Sequence, residues 1–200
     1  MPHPTLKKGS PVSRRQHCEI DSPVGPLTLV ATDGALSGLF MIDQRHRPAR
    51  EVFGTRDPSP FPVVIDQLGE YFAGERRDFD LPLAAVGTPF QQRVWAALRQ
   101  VTYGQTVSYG RIAERIDRPG ASRAVGLANG ANPIGIIVPC HRVVGADGSL
   151  TGYGGGLERK QFLLDLERRS DTPDLHQRSP PTPLPRVPSL ATRSVGDNFA

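Results

Sequence analysis

The sequence predicts an α+β protein: a small N-terminal α/β domain, made of a β-sheet with one helix, followed by a mostly helical C-terminal domain. Three observations carry that expectation. A stretch near the N-terminus alternates in hydrophobicity around an Asp33-Gly34 pair. Beyond residue 88 the apolar positions switch to helical spacing between recognisable caps. The 200 residues are enough for one domain or two small ones with a sizeable core, since a 150-residue unit buries roughly 70% of its unfolded surface.

Composition removes several classes. No window approaches the ~20 consecutive apolar residues of a membrane span. The basic start MPHPTLKKGSPVSRRQH has no apolar run behind it, so no secretory signal is expected. Cys18 and Cys140 are the two cysteines, and without a secretory signal they read as free thiols in a reducing, cytoplasmic setting.

Residues 1–16 read as a flexible basic arm. In CEIDSPVGPLTLVATDGALSGLFMID, Leu27, Leu29 and Ala31 alternate with polar or exposed positions, and Asp33-Gly34 supplies a turn that tolerates positive φ, so a hairpin opens the sheet. RHRPAREVFGTRDPSPFP reads as loop. In VVIDQLGEYFAG, Val64, Leu68 and Phe72 stand at helical spacing. Residues 17–84 thus form the N-terminal domain, and 85–88 the boundary. Thr88-Pro89-Phe90-Gln91 is a capping box with Pro at the first helical position, followed by Phe90, Val94, Leu98 and Val101 on one face. Tyr103-Gly104-Gln105 is a turn, and Ser108 caps a short helix with Ile112 and Ile116 facing inward. Asp117-Arg118-Pro119-Gly120 breaks the chain before a second short helix, ASRAVGLANG, which ends at a glycine. Two short helices joined by a Gly-containing turn match a helix-turn-helix, with Ser122 and Arg123 exposed near the start of the second. Residues 85–170 complete this C-terminal domain. Residues 171–200, rich in proline and without periodicity, read as a disordered tail.

Charge is unevenly spread. Residues 17–84 carry six Arg against eleven acids, whereas residues 85–170 carry eleven basic side chains against six acids. A basic segment joined to an acidic one suits a polyanionic partner for the basic part alone, although ordinary solvated charge is the stronger reading of charge by itself.

The chemistry gathers in IIVPCHRVVG, residues 136–145, where an apolar run leads into Cys140 and His141. Neighbours in a strand point to opposite faces, so the pair can cooperate only if the chain turns, and Pro139 is placed to end a strand. An imidazole can take the thiol proton, and a carboxylate behind it can fix its tautomer. In LERKQFLLDLE, Leu157, Leu163, Leu164 and Leu166 form the apolar side of a helix. Glu167 stands beside that side: it either turns in toward His141 or, the stronger reading from spacing alone, is a solvated helix-end glutamate. No C-x-x-C or H-x-x-x-H spacing occurs, and His17 and Cys18 point apart in a strand, so no metal is expected.

With TPFQQRVWAAL, TVSYGRIAERI, ASRAVGLANGANP and LTGYGGGLERKQFLLDLE around it, IIVPCHRVVG strongly resembles the O6-alkylguanine-DNA alkyltransferase family, over roughly residues 18–168. The resemblance implies an N-terminal α/β domain and a helical C-terminal domain with a winged helix-turn-helix-like DNA-binding unit. It implies direct reversal of damage: the alkyl group of O6-alkylguanine in duplex DNA moves irreversibly onto a cysteine, without a cofactor, with the nucleotide flipped out and the helix-turn-helix in the minor groove. Whether O4-alkylthymine is also a substrate, and whether the monomer binds DNA cooperatively, stay open. The resemblance makes Cys140 the acceptor, His141 its base through a water, Glu167 the residue orienting His141, and Tyr109 a hydroxyl donor to the guanine. Arg123 would fill the gap left by the extruded nucleotide, with Ser122, Ala124, Gly126 and Asn132 also at the DNA-binding side. Asn132 would tie the active-site turn to the recognition helix, and would line the substrate pocket together with Tyr109, Val143, Tyr153, Gly154 and Gly155. Two departures stand out: Gly154 replaces a serine found in some relatives, and the zinc ligands that some carry in the N-terminal domain are missing.

Two other readings compete. A cysteine hydrolase built on Cys140, His141 and Glu167 would turn over repeatedly, and leaves the basic helical hairpin unexplained. A lesion binder without chemistry leaves the thiol unexplained.

Overall fold

The computed structural model describes residues 13–170. Strands β1 (Arg15–Ile20), β2 (Leu27–Thr32) and β3 (Ala35–Met41) form an antiparallel meander, and the two-residue β4 (Thr55–Arg56) adds parallel to β1, giving the order β3-β2-β1-β4. The β2–β3 turn has φ of 51° at Asp33 and 84° at Gly34, the left-handed pair that matches strand twist in a two-residue hairpin. Strand β1 starts at Arg15, inside the segment read as a basic arm; residues 1–12 of that arm and the tail 171–200 lie outside the described residues.

One face of the sheet, with Cys18, Leu27, Leu29, Leu39 and Met41, shares a single core with helix α1 (Pro62–Ala73) and with the C-terminal helices. Simple alternation along β2 does not hold, because its other face is covered too. Val30, Phe40 and Phe53 form a second small cluster, with Phe53 delivered by a short 3₁₀ turn (Arg50–Phe53) in the stretch read as plain loop. The buried stripe of α1 runs Val64, Leu68, Tyr71, at i, i+4 and i+7; Phe72, expected inward, is only half-buried.

Helix α2 (Pro89–Leu98) begins with the full capping box: Gln91 N–H donates to Thr88 Oγ1 at 3.3 Å, and the Thr88 N–H donates to Gln91 Oε1 at 2.8 Å. Helix α3 (Tyr109–Arg115) is capped by Ser108, and α4 (Ser122–Gly130) follows the left-handed Gly120. Trp95 Nε1 donates to the Ala128 carbonyl at 2.9 Å, pinning α2 to α4. Strands β5 (Val107–Ser108) and β6 (Val143–Val144) pair in parallel, and α5 (Leu157–Ser170) closes the core. Leu157, expected inside, is exposed.

The outer edge of β3 is not left bare. Leu36 exchanges backbone hydrogen bonds with Pro82 and Ala84, and Leu39 with Pro133 and Gly135. Covering an edge satisfies its unpaired backbone groups, and here the second cover is the segment leading to Cys140. The sheet therefore fixes where the C-terminal chemistry sits.

The capping box closes two N-terminal amides that would otherwise lack partners. Thr88→Ala should cost about 1 kcal/mol, read as a lower urea midpoint with an unchanged denaturant slope.

Candidate active site

The apolar run before Cys140 is a chain of turns, not a strand. Ile137 N–H donates to the Gly135 carbonyl at 2.8 Å around Ile136, whose φ of 68° is rare for a β-branched residue. Cys140 N–H donates to Val138 O at 2.8 Å around Pro139, at φ −80° and ψ 62°. That is an inverse γ-turn, and proline's ring presets the φ it needs. Residues Cys140–Arg142 then form a 3₁₀ turn. Asn132 Nδ2 holds the loop at Val138 O (2.8 Å), and Asn129 of α4 donates to the Cys140 carbonyl at 3.3 Å.

Behind the cysteine lies a saturated carboxylate. Glu167 is 0% exposed, which removes the solvated reading. Its Oε1 accepts from His141 Nε2 (2.8 Å), Tyr71 hydroxyl (2.8 Å) and Arg142 Nη2 (3.0 Å). Its Oε2 accepts from Arg142 Nε (2.9 Å) and Gly104 N–H (3.1 Å). Burial alone would push this carboxyl up; His141 and Arg142 outweigh it and hold it down at about 2. An ionised carboxylate can only accept, so His141 carries its proton on Nε2, leaving Nδ1 as a lone pair. Nδ1 is buried without a hydrogen-bonding partner among the described residues. Burial lowers the pKa of His141, against the opposing pull of Glu167, and so favours the neutral ring.

Cys140 is 7% exposed and lines an open cleft of about 570 Å³. Burial raises its pKa, while Asn132 and the Lys160 ammonium pull it back. The resting group is a thiol that becomes a good nucleophile when a base takes its proton. Cys18, by contrast, is pushed up to about 11 by burial and lies in the sheet core. Lys160 is fully buried, donates to the carbonyls of Val143 and Thr151, and is lowered to about 8 by burial.

Of the residues singled out from sequence, Tyr109, Gly126, Asn132, Tyr153, Gly154 and Gly155 line the cleft with Cys140. The Tyr109 hydroxyl accepts from Thr151 Oγ1 at 3.3 Å, and Gly126 sits beside the Tyr109 ring, where an added Cβ would come within 3.7 Å. Val143 does not line it: the residue is fully buried in β6, and its carbonyl serves Lys160. Asn132 is no surface contact for DNA either, because it is buried and its amide is committed to the turn. Arg123 and Ala124 are exposed at the start of α4, with Ser122 half-buried. Among the described residues no group of His, Cys, Asp and Glu side chains gathers as a metal site, and no helix is long and apolar enough to cross a membrane.

Sequence reasoning missed four contributors. Arg142 stood inside the quoted motif without a role. Tyr71 completes the stripe begun by Val64 and Leu68. Lys160 and Glu167 share one helical stripe with Leu163 and Leu164, a spacing that marks a charge pointing inward. The fourth is a segment of the N-terminal half: Gln44, Arg45, His46 and Pro48 line the cleft, with Arg45 N–H donating to the Gly154 carbonyl at 2.8 Å; no local signal announced it.

Residues 19–85 match the family profile "6-O-methylguanine DNA methyltransferase, ribonuclease-like domain", and residues 89–169 match the DNA binding domain of the same family. The methylated-DNA-protein-cysteine methyltransferase of Mycolicibacterium paratuberculosis is 59% identical over 150 residues, 75% of this chain and 90% of that protein. The solved structure of Mycobacterium tuberculosis OGT in complex with DNA matches with TM-score 0.72 at 55% identity, covering 78% of this chain and 94% of that one. The O6-methylguanine-DNA methyltransferase of Pyrococcus kodakaraensis matches with TM-score 0.52 at 25% identity, covering 76% and 98%.

Removing one partner of a buried ion pair leaves the other charge uncompensated. Arg142→Ala should therefore destabilise the fold by about 3–5 kcal/mol, measured by denaturant titration. The depressed pKa of Glu167 adds stability that is present above the ordinary carboxylate range and lost as pH falls toward about 2, so the wild-type advantage over this variant should shrink on acidification.

Proposed function

Because the chain belongs to the 6-O-methylguanine DNA methyltransferase family, we propose that it repairs alkylated DNA by moving the methyl group of O6-methylguanine onto Cys140, once per molecule. One observation supports this assignment above the others. Helix α4, which exposes Arg123 at its start, also lends Gly126, Leu127 and Gly130 to the wall of the cleft that holds Cys140. A nucleotide turned out of a duplex lying on α4 enters directly toward the thiol.

The O6-methyl carbon of a stacked guanine is out of reach of a recessed thiol, so the nucleotide must leave the stack, at a cost of a few kcal/mol. The planar guanidinium of Arg123 suits the vacated space because it is cationic and can stack. Leu127, 74% exposed on the same helix, offers apolar contact to the groove. The net positive charge of residues 85–170 supports a duplex as the partner and the phosphates as the source of salt-dependent affinity.

In the cleft the thiol proton passes to the Nδ1 side of His141, directly or through a water, and the sulfur attacks the methyl carbon. The carbon–oxygen bond breaks, its electrons stay on guanine O6, and Tyr109 donates a proton to the base; exchange with solvent restores Tyr109 and His141. The developing imidazolium lies against the ionised Glu167, which stabilises it as charge forms. Hydrogen-bond support for the leaving base at Gly154 comes from backbone alone. The product is S-methylcysteine, a thioether with no nucleophile beside it to release the methyl group, and so the protein is consumed.

Incubation with excess duplex containing O6-methylguanine should add one methyl to the Cys140 peptide and stop at one lesion per protein. Multiple turnovers without that modification would point to hydrolysis instead. Cys140→Ser should abolish transfer while largely sparing DNA binding. Arg123→Ala should slow repair in duplex more than transfer from the free base, and equal slowing of both would contradict its role in flipping.

A further inference from the structure

The carboxylate behind His141 is not assembled by the C-terminal half alone. Tyr71 lies on α1, 96 residues before Glu167 in the chain, and its hydroxyl donates to the same oxygen, Oε1, that receives His141 Nε2. Both side chains are fully buried. The Tyr71 ring is clamped by Phe72, Phe79 and Tyr103, with centroids 5.3, 5.4 and 6.0 Å away, so the hydroxyl has a fixed direction.

We propose that Tyr71 is a positioning residue of the methyl transfer, supplied by the N-terminal half, whose hydroxyl holds Glu167 and limits the pull of its charge on His141. The proposal rests on the alkyl-transfer function above. A carboxylate offers about four lone-pair sites, and the five donors around Glu167 saturate it. Each donor on Oε1 spreads negative charge that would otherwise favour imidazolium. An imidazolium cannot take the thiol proton, so a bare glutamate behind His141 would narrow the pH range in which the base works.

The phenol is suited to stay a donor: burial and the Glu167 charge push its pKa well above the ordinary tyrosine value. Other groups act on the same pair from every side. Arg142 shares both carboxylate oxygens, and its guanidinium lies 5.5 Å over the Tyr103 ring; Arg77 lies 5.8 Å from the same ring. Lys160 opposes a charge on His141, and Tyr153 lies within electrostatic reach of both Cys140 and Glu167. None of these changes when the Tyr71 hydroxyl is removed, so Tyr71→Phe isolates one donor while keeping the ring packing.

The test is the single-turnover rate constant for methyl transfer to Cys140, measured from pH 5 to 9 for the wild-type chain and for Tyr71→Phe. Losing a hydrogen bond to a charged group should raise the acid limb of the rate profile by about half a unit to one unit, with DNA affinity unchanged. A 3-fluorotyrosine at position 71, a stronger donor of nearly the same shape, should move the limb the opposite way; this chain keeps the fold should Tyr71→Phe prove unstable. Superimposable profiles for the three proteins, whatever their melting temperatures, would overturn the proposal and leave Tyr71 a packing residue. Absence of methyl on Cys140 in the wild-type chain is a different result, and it overturns the function itself.

Discussion

Everything near Cys140 depends on one buried negative charge. Glu167 is ionised and shielded from water, a state that costs several kcal/mol unless partners answer it. Five donors do so, from α1, the turn at Gly104, and the 3₁₀ turn that carries His141 and Arg142. The carboxylate is therefore a structural node. Bringing these segments to one point locks α5 against the active-site turn and against the N-terminal half at once.

Burial favours the neutral forms of Cys140 and, working against the pull of this node, of His141. An exposed Cys–His pair can form thiolate and imidazolium, but here burial raises the thiol and lowers the imidazole. Oxidation follows thiolate character and exposure, and Cys140 has little of either. The cover on β3 and the Asn132 amide hold the turns that place the Cys140 thiol.

Local signals in the sequence were strong where they were local in origin. The Asp33-Gly34 hairpin, the Thr88–Gln91 capping box and the Ser108 cap each involve neighbours within a few residues, and each forms as expected. Glu167 was ambiguous because periodicity placed it at the border of a leucine stripe; its true partners are 25 to 96 residues away. The resemblance carried by IIVPCHRVVG and its companion segments, not spacing, turned that residue inward. The run before Cys140 reads as strand because β-branched residues favour strands, yet the Asn132 amide and Pro139 fold it into successive turns. Tyr71 and the cleft-lining Gln44, Arg45, His46 and Pro48 were invisible for the same reason: their positions matter only once the two halves of the chain are packed together.

The central claim is that Glu167 fixes a neutral His141 with its proton on Nε2 and its lone pair on Nδ1. Nitrogen-15 chemical shifts of the His141 ring, followed from pH 5 to 9 in the intact protein, test it directly. The account predicts a protonated-type Nε2 signal and a lone-pair-type Nδ1 signal throughout the neutral range. Two protonated-type signals at pH 7, or the reversed assignment, would contradict it.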